Sequence, residues 1–141
     1  MVTQPVLLSP PFRYFHHVYI VFLMAIIINI SQPKEFLEVF KKEIDEGVIA
    51  SWSYDEDGDF TLTNAELVNK AWLHPYIKEN GSLVLGILGR KNALLTIAEY
   101  SSYHSAMVET IILYFNKIIE KISIVQPMVS DYDTHSIDCS K

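Results

Sequence analysis

An unbroken apolar run at residues 18–28, VYIVFLMAIII, constrains the fold of this chain more than any other feature. The run is shorter than the roughly 20 apolar residues that cross a bilayer, so it does not favour a membrane anchor. A secretory signal is a second alternative, with Arg13 as its charged end, but no cleavage motif of small residues follows the run. We favour a third interpretation, in which the domain starts near Met24 and the β-branched stretch AIIINIS forms a buried first strand.

Two terminal segments are expected to lie outside the core. Residues 1–23 form a proline-punctuated leader, and residues 124–141 form a polar tail that we expect to be disordered. The single cysteine, Cys139, excludes an internal disulfide and favours a reducing compartment, so we expect a cytoplasmic protein. Retention of the leader as a signal would instead make the protein exported or membrane-tethered.

Residues 24–123 carry the pattern of one α+β domain. A short amphipathic helix is predicted between Ser31, a fitting N-cap, and Gly47, and a long helical pattern covers residues 95–121. Four strand patterns lie between the two helices, at residues 48–54, 60–63, 70–77 and 82–89. This order predicts a two-layer sandwich in which a mostly antiparallel sheet of about four to five strands carries one short and one long helix on one face.

The stretch WSYDEDGDFTLT, at residues 52–63, places four carboxylates around one glycine. An EF-hand is excluded, because Gly58 at loop position 6 puts Asn64 at position 12, where the loop requires a bidentate Glu. The Asp57-Gly58 dipeptide instead predicts the tip of a β-hairpin. The carboxylates and two neighbouring aromatic residues form the candidate partner-binding set: Trp52, Tyr54, Asp55, Glu56, Asp57 and Asp59. For Trp52, packing into the sheet core is an equally good interpretation.

The leading functional hypothesis is a small non-enzymatic interaction module of the inhibitor, immunity or accessory type. A net charge of −6 disfavours nucleic-acid binding and suits a basic protein partner. No nucleophile motif or phosphate loop is found, so no catalytic residue is assigned and no cofactor is expected. The long helix contains five consecutive large residues, IILYF at residues 111–115, and this apolar surface suggests a homodimer.

The alternative hypothesis is a metal-dependent enzyme or a metal-binding protein. Asp55, Asp57 and Asp59 are hard oxygen donors for a divalent cation, and His74 or His104 would complete the ligand set. Nothing in the spacing of these residues requires such a site. A buried structural role for His104 on a helix is the competing interpretation.

The stretch WSYDEDGDFT, followed by NKAWLHP, resembles a group of small bacterial proteins of unassigned function. Those proteins carry a similar Trp-Ser-Tyr-Asp acidic turn and a following Ala-Trp strand. The resemblance covers residues 24–120 and implies no activity, cofactor or catalytic residue. It supports a domain that starts near Met24.

Overall fold

The computed structural model describes residues 25–125 and 137–138. The predictions for the leader, residues 1–23, and for residues 126–136 and 139–141 of the tail concern segments outside this part of the chain. The elements are β1 Ala25–Asn29, α1 Pro33–Asp45, β2 Trp52–Tyr54, β3 Phe60–Leu62, β4 Ala71–Ile77, β5 Leu83–Gly89, β6 Leu95–Thr96, α2 Ile97–Phe115, β7 Lys121–Val125 and β8 Ile137–Asp138.

Six of these strands form one antiparallel sheet in the order β2-β3-β4-β5-β1-β7, and β6 pairs with β8 in parallel. The predicted α+β fold, with an antiparallel sheet and two helices, is confirmed. Neither helix in the described residues is long and apolar enough to cross a membrane.

The first strand is buried, as its β-branched sequence predicts. β1 lies inside the sheet, between β5 and β7, and its residues Ile26 and Ile28 are completely buried. A strand with partners on both edges satisfies its backbone hydrogen bonds, so its apolar side chains can be buried without leaving polar groups unpaired. The apolar run therefore contributes Ile26 and Ile28 to the core.

The long helix is shorter than the sequence pattern predicts, and the difference explains the sixth strand. α2 ends at Phe115 instead of continuing to Lys121, and a turn at residues 116–118 leads into β7. The backbone N–H of Glu120 donates to the carbonyl of Asn29 at 2.9 Å, after which β7 pairs along β1. The alternating sequence KISIV suits a strand, and the open edge of β1 offers it backbone partners that a continued helix could not use.

Both helices pack on one face of the large sheet, where aromatic rings join the layers. Phe40 of α1 lies 4.9 Å from Phe60 of β3 and 5.6 Å from Phe115 of α2, measured between ring centroids. Phe36 meets Phe115 edge-on at 4.9 Å. All four rings are at most 6 % exposed, and full burial of such a side chain contributes about 1.5–3 kcal/mol.

A buried polar cluster fixes α2 against β3 and the start of β4. The Tyr103 hydroxyl donates to the carbonyl of Leu67, lies 3.0 Å from the Thr61 hydroxyl and accepts from the Ala71 amide at 3.3 Å. Thr61 also accepts from the Asn69 amide at 3.1 Å. Because these groups are satisfied internally, the cluster can be buried without the cost of unpaired polar groups.

Candidate functional site

The acidic stretch forms the tip of the hairpin that joins β2 to β3. The two strands pair Tyr54 with Phe60 directly beneath the tip. The Asp55 amide donates to the Asp59 carbonyl, and the Gly58 amide donates to the Asp55 carbonyl, both at 3.0 Å. Gly58 has φ +81°, a conformation that side-chain-bearing residues adopt only with strain. The Asp57-Gly58 dipeptide thus occupies the turn that its sequence predicts.

The Asp55 carboxylate organises the backbone of this turn. Its Oδ1 atom accepts from the amide of Asp57 at 2.9 Å and from the amide of Asp59 at 3.0 Å. Aspartate often stabilises turns through such local bonds. Asp55 is exposed nonetheless, so it combines a structural role with a charge that a partner can reach.

Asp59 differs from the other acidic residues because it is buried and paired. It is 8 % exposed, and its Oδ1 atom accepts a hydrogen bond from Nδ1 of His74 on β4. The His74 side chain is 32 % exposed, and its ring lies 4.6 Å from that of Tyr76. The Asp59 charge is therefore directed into the fold, and Asp59 does not belong to the accessible surface of the tip.

Tyr54 is fixed against α1. Its hydroxyl lies 2.9 Å from both carboxylate oxygens of Asp45, and the Lys41 ammonium lies 5.4 Å from the centre of its ring. The hydrogen bond to Asp45 raises the pKa of Tyr54 above its ordinary value, because ionisation removes the donor and brings two negative charges together. Tyr54 thus connects the hairpin to the helix layer and presents only part of its ring at the surface.

Trp52 lies in the core, which corrects its assignment to the partner-binding surface. The side chain is 1 % exposed and packs edge-on to Tyr103 at 6.0 Å between centroids. Its indole N–H donates to the Thr110 hydroxyl at 3.0 Å, and that hydroxyl donates to the Ala106 carbonyl at 2.8 Å. Both polar groups are satisfied, so the residue joins β2 to α2 and is not accessible to a partner.

The proposed metal ligands are brought together only in part. Asp55, Asp57 and Asp59 each offer an oxygen within 4.8 Å of the others, and this is the cluster of metal-ligating groups found among residues 25–125. His74 contacts Asp59, whereas His104 is 2 % exposed on α2, with Nδ1 3.0 Å from the Tyr100 carbonyl. The structural interpretation of His104 therefore accounts for its position.

Three acidic side chains of the hairpin tip remain exposed to solvent. Asp55, Glu56 and Asp57 are exposed, and in the described part of the chain none lies within 4.0 Å of a Lys, Arg or His nitrogen. The Lys41 ammonium approaches this turn at Gly58, 3.1 Å from where a Cβ on that glycine would lie, but three carboxylates beside one cation still leave a local negative potential. We call these three residues the acidic tip.

No protein-family model matches the chain, and neither a curated protein nor a solved structure matches it.

Proposed function

We propose that the protein is a small interaction module, of the inhibitor, immunity or accessory type, that binds a protein partner through the acidic tip. The observation that carries this proposal is the exposure of Asp55, Glu56 and Asp57 on one turn, where none of them forms an ion pair within 4.0 Å with another described residue. Asp55 accepts two hydrogen bonds from the turn backbone, but no ion pair within residues 25–125 neutralises the three charges, so they are available for an intermolecular contact.

The fixed geometry of the tip favours binding over simple solvation. The backbone and the Asp55 side chain hold the turn through four hydrogen bonds of 2.9–3.0 Å. A preorganised loop loses less conformational entropy when a partner binds than a mobile loop does. The complementary partner is a protein with a cluster of Lys or Arg side chains, since opposite potentials accelerate encounter and fix orientation. We place this interaction in the cytoplasm, on the basis of the single cysteine.

The test is a tagged capture of partners from the native host at low salt, followed by titration of the purified partner. The tip variant Asp55→Asn/Glu56→Gln/Asp57→Asn removes three charges, and the amide side chain introduced in place of Asp55 keeps an oxygen that can accept the two turn hydrogen bonds. The matched control, Glu66→Gln/Glu79→Gln/Glu109→Gln, removes three charges from exposed positions elsewhere. We expect the tip variant to bind about tenfold or more weakly, and we expect wild-type affinity to fall with added salt.

Two outcomes would contradict the proposal. The tip variant would bind the partner as tightly as wild type at low salt, or the control variant would lose as much affinity as the tip variant. The second outcome would show that the partner responds to net charge and not to the tip.

A second candidate function, binding of a divalent cation, rests on the close approach of the carboxylates of Asp55, Asp57 and Asp59. Oxygen donors at this spacing suit calcium or magnesium. However, one carboxylate oxygen of Asp55 already accepts hydrogen bonds from two backbone amides, and one carboxylate oxygen of Asp59 accepts a hydrogen bond from His74. A bound cation would have to use the remaining oxygens or displace these bonds, which is why we rank this function second.

Thermal unfolding separates the two functions. A cation that binds the folded state stabilises it by about 2.7 kcal/mol at a concentration 100 times its Kd. If calcium, magnesium, manganese and zinc all leave the melting temperature unchanged, the cation function is excluded. A shift in melting temperature that disappears in Asp57→Asn would support the cation function, because both side-chain hydrogen bonds that hold the turn are made by Asp55 and not by Asp57.

A further inference from the structure

An apolar groove lies where α1 passes the C-terminal end of α2. Its volume is about 490 Å³, and four of its lining side chains are large, apolar and more than one third exposed: Val39, Leu113, Tyr114 and Ile118. Leu113, at 63 %, is the most exposed large apolar side chain in the described residues. We call this surface the end groove. An apolar patch of this size is often functional.

The rim of the end groove carries one acidic and one basic side chain. Glu43 of α1 and Lys117, just after α2, both line it. In the described part of the chain neither residue forms an ion pair within 4.0 Å. A rim that carries both signs is complementary to itself, although the chain as a whole is acidic.

We propose that the end groove binds a second copy of this chain in a two-fold symmetric dimer. In a two-fold interface the same surface occurs on both sides, so the apolar side chains meet their counterparts across the axis. We place the axis so that Lys117 of each copy lies opposite Glu43 of the other. This arrangement covers the apolar surface and pairs both rim charges in a single contact.

The exposed apolar area indicates a small interface. A large side chain has on the order of 200 Å² of surface, and the four lining side chains are 37–63 % exposed, so together they offer on the order of 400 Å² per copy. Stable complexes bury about 800 Å² per partner, and two chains that each carry −6 repel one another. We therefore expect a weak, reversible dimer that forms only at high protein concentration.

Sedimentation velocity of the full chain, from about 5 μM to about 1 mM in about 150 mM salt, tests this proposal. We expect wild type to shift from monomer to dimer and Leu113→Arg to stay monomeric. Ile112→Arg is the matched control, because Ile112 is 52 % exposed on the same helix but does not line the end groove. The control is expected to dimerise like wild type.

Exchange of the rim charges tests the symmetry of the contact. Lys117→Glu alone and Glu43→Lys alone each place like charges opposite one another, and both are expected to weaken the dimer by about tenfold or more. An equimolar mixture of these two variants restores both opposite-charge pairs in a heterodimer and should recover most of the lost affinity.

Three results would overturn the proposal. A wild-type chain that is monomeric at about 1 mM excludes the second copy as the occupant, and the groove would then be covered by another segment or another protein. A dimer that survives Leu113→Arg, or that is lost equally in Ile112→Arg, lies elsewhere on the molecule. Failure of the charge-exchange mixture to recover affinity excludes the two-fold contact.

Discussion

Replacement of Asp55 by alanine should destabilise the fold, because its carboxylate supports the hairpin turn. The Oδ1 atom accepts from the amides of Asp57 and Asp59 at 2.9 and 3.0 Å. A hydrogen bond contributes a net of about 0.5–1.5 kcal/mol, so loss of both should lower the free energy of unfolding by about 1–3 kcal/mol. Asp55→Asn keeps an acceptor oxygen at the same position and should lose less than half as much.

Urea unfolding, followed by tryptophan fluorescence and far-UV circular dichroism, measures this effect. With a denaturant slope of about 1–3 kcal/mol per molar urea, the midpoint should fall by about 1 M in Asp55→Ala. Asp57→Ala is the control: Asp57 is exposed on the same turn, and such surface changes usually stay within about 0.5 kcal/mol. If Asp55→Ala and Asp57→Ala proved equally stable, the assignment of Asp55 as the residue that organises the turn would be refuted.

Three further predictions concern the residues that hold the hairpin in place. Thr110→Val removes the buried hydrogen bond between Trp52 and Thr110, and it should lower the free energy of unfolding, measured in urea, by about 1–3 kcal/mol. The double variant Thr110→Val/Trp52→Phe should lose less free energy of unfolding than the sum of the losses in the two single variants. Gly58→Ala forces a side-chain-bearing residue to φ +81°, so it should lower the free energy of unfolding in urea by about 1–2 kcal/mol. Gly81→Ala in the next hairpin, at φ +88°, provides the comparison. The pKa of Tyr54 should lie above its ordinary value of 10.0. In a titration followed by absorbance at 295 nm, Tyr54 should appear as a component that ionises at high pH. This component should be absent in Tyr54→Phe and should move to lower pH in Asp45→Asn. Because the pKa is raised in the folded state, this bond stabilises the protein below the ordinary pKa and is lost as the pH rises through the folded value.

Local patterns were sufficient to predict the elements whose conformation depends on neighbouring residues. The β-branched sequence of β1 predicts a buried strand, and Ile26 and Ile28 are fully buried. The Asp57-Gly58 dipeptide predicts a hairpin tip, and Gly58 has the required positive φ. Helices on one face of an antiparallel sheet follow from the order of these elements.

Contacts between distant segments were not predicted. Trp52 and Thr110 are 58 positions apart, so no periodicity in either segment shows that the indole N–H has a partner in α2. The predicted end of α2 is wrong for a related reason. Helical spacing continues beyond Phe115 in the sequence, but residues 121–125 gain a full strand of hydrogen bonds by pairing with β1. Tertiary pairing overrides local pattern where both conformations satisfy the apolar periodicity.

The pair of Asp59 and His74 shows what additional information the sequence would have needed. Both residues were considered as metal ligands, but their contact depends on the pairing of Phe60 with Leu73, which sets β3 beside β4. Alternation along each strand gives the face of a side chain, whereas the register between strands decides which side chains meet. A hairpin turn fixes that register only for strands joined directly, and β3 and β4 are separated by the loop at residues 63–70.

The role of Asp55 in the turn determines how the proposed binding function must be tested. An alanine scan of the tip would remove charge and geometry together, so loss of binding in Asp55→Ala could arise from a loosened turn. Asp55→Asn removes the charge and keeps an acceptor, whereas Asp57→Asn removes a charge that makes no turn bond among those found. Equal losses of affinity in these two variants, with unchanged urea midpoints, would assign the binding energy to charge. A loss confined to Asp55→Asn together with a lowered midpoint would assign it to the shape of the turn, because only that variant changes the side chain that accepts the turn hydrogen bonds.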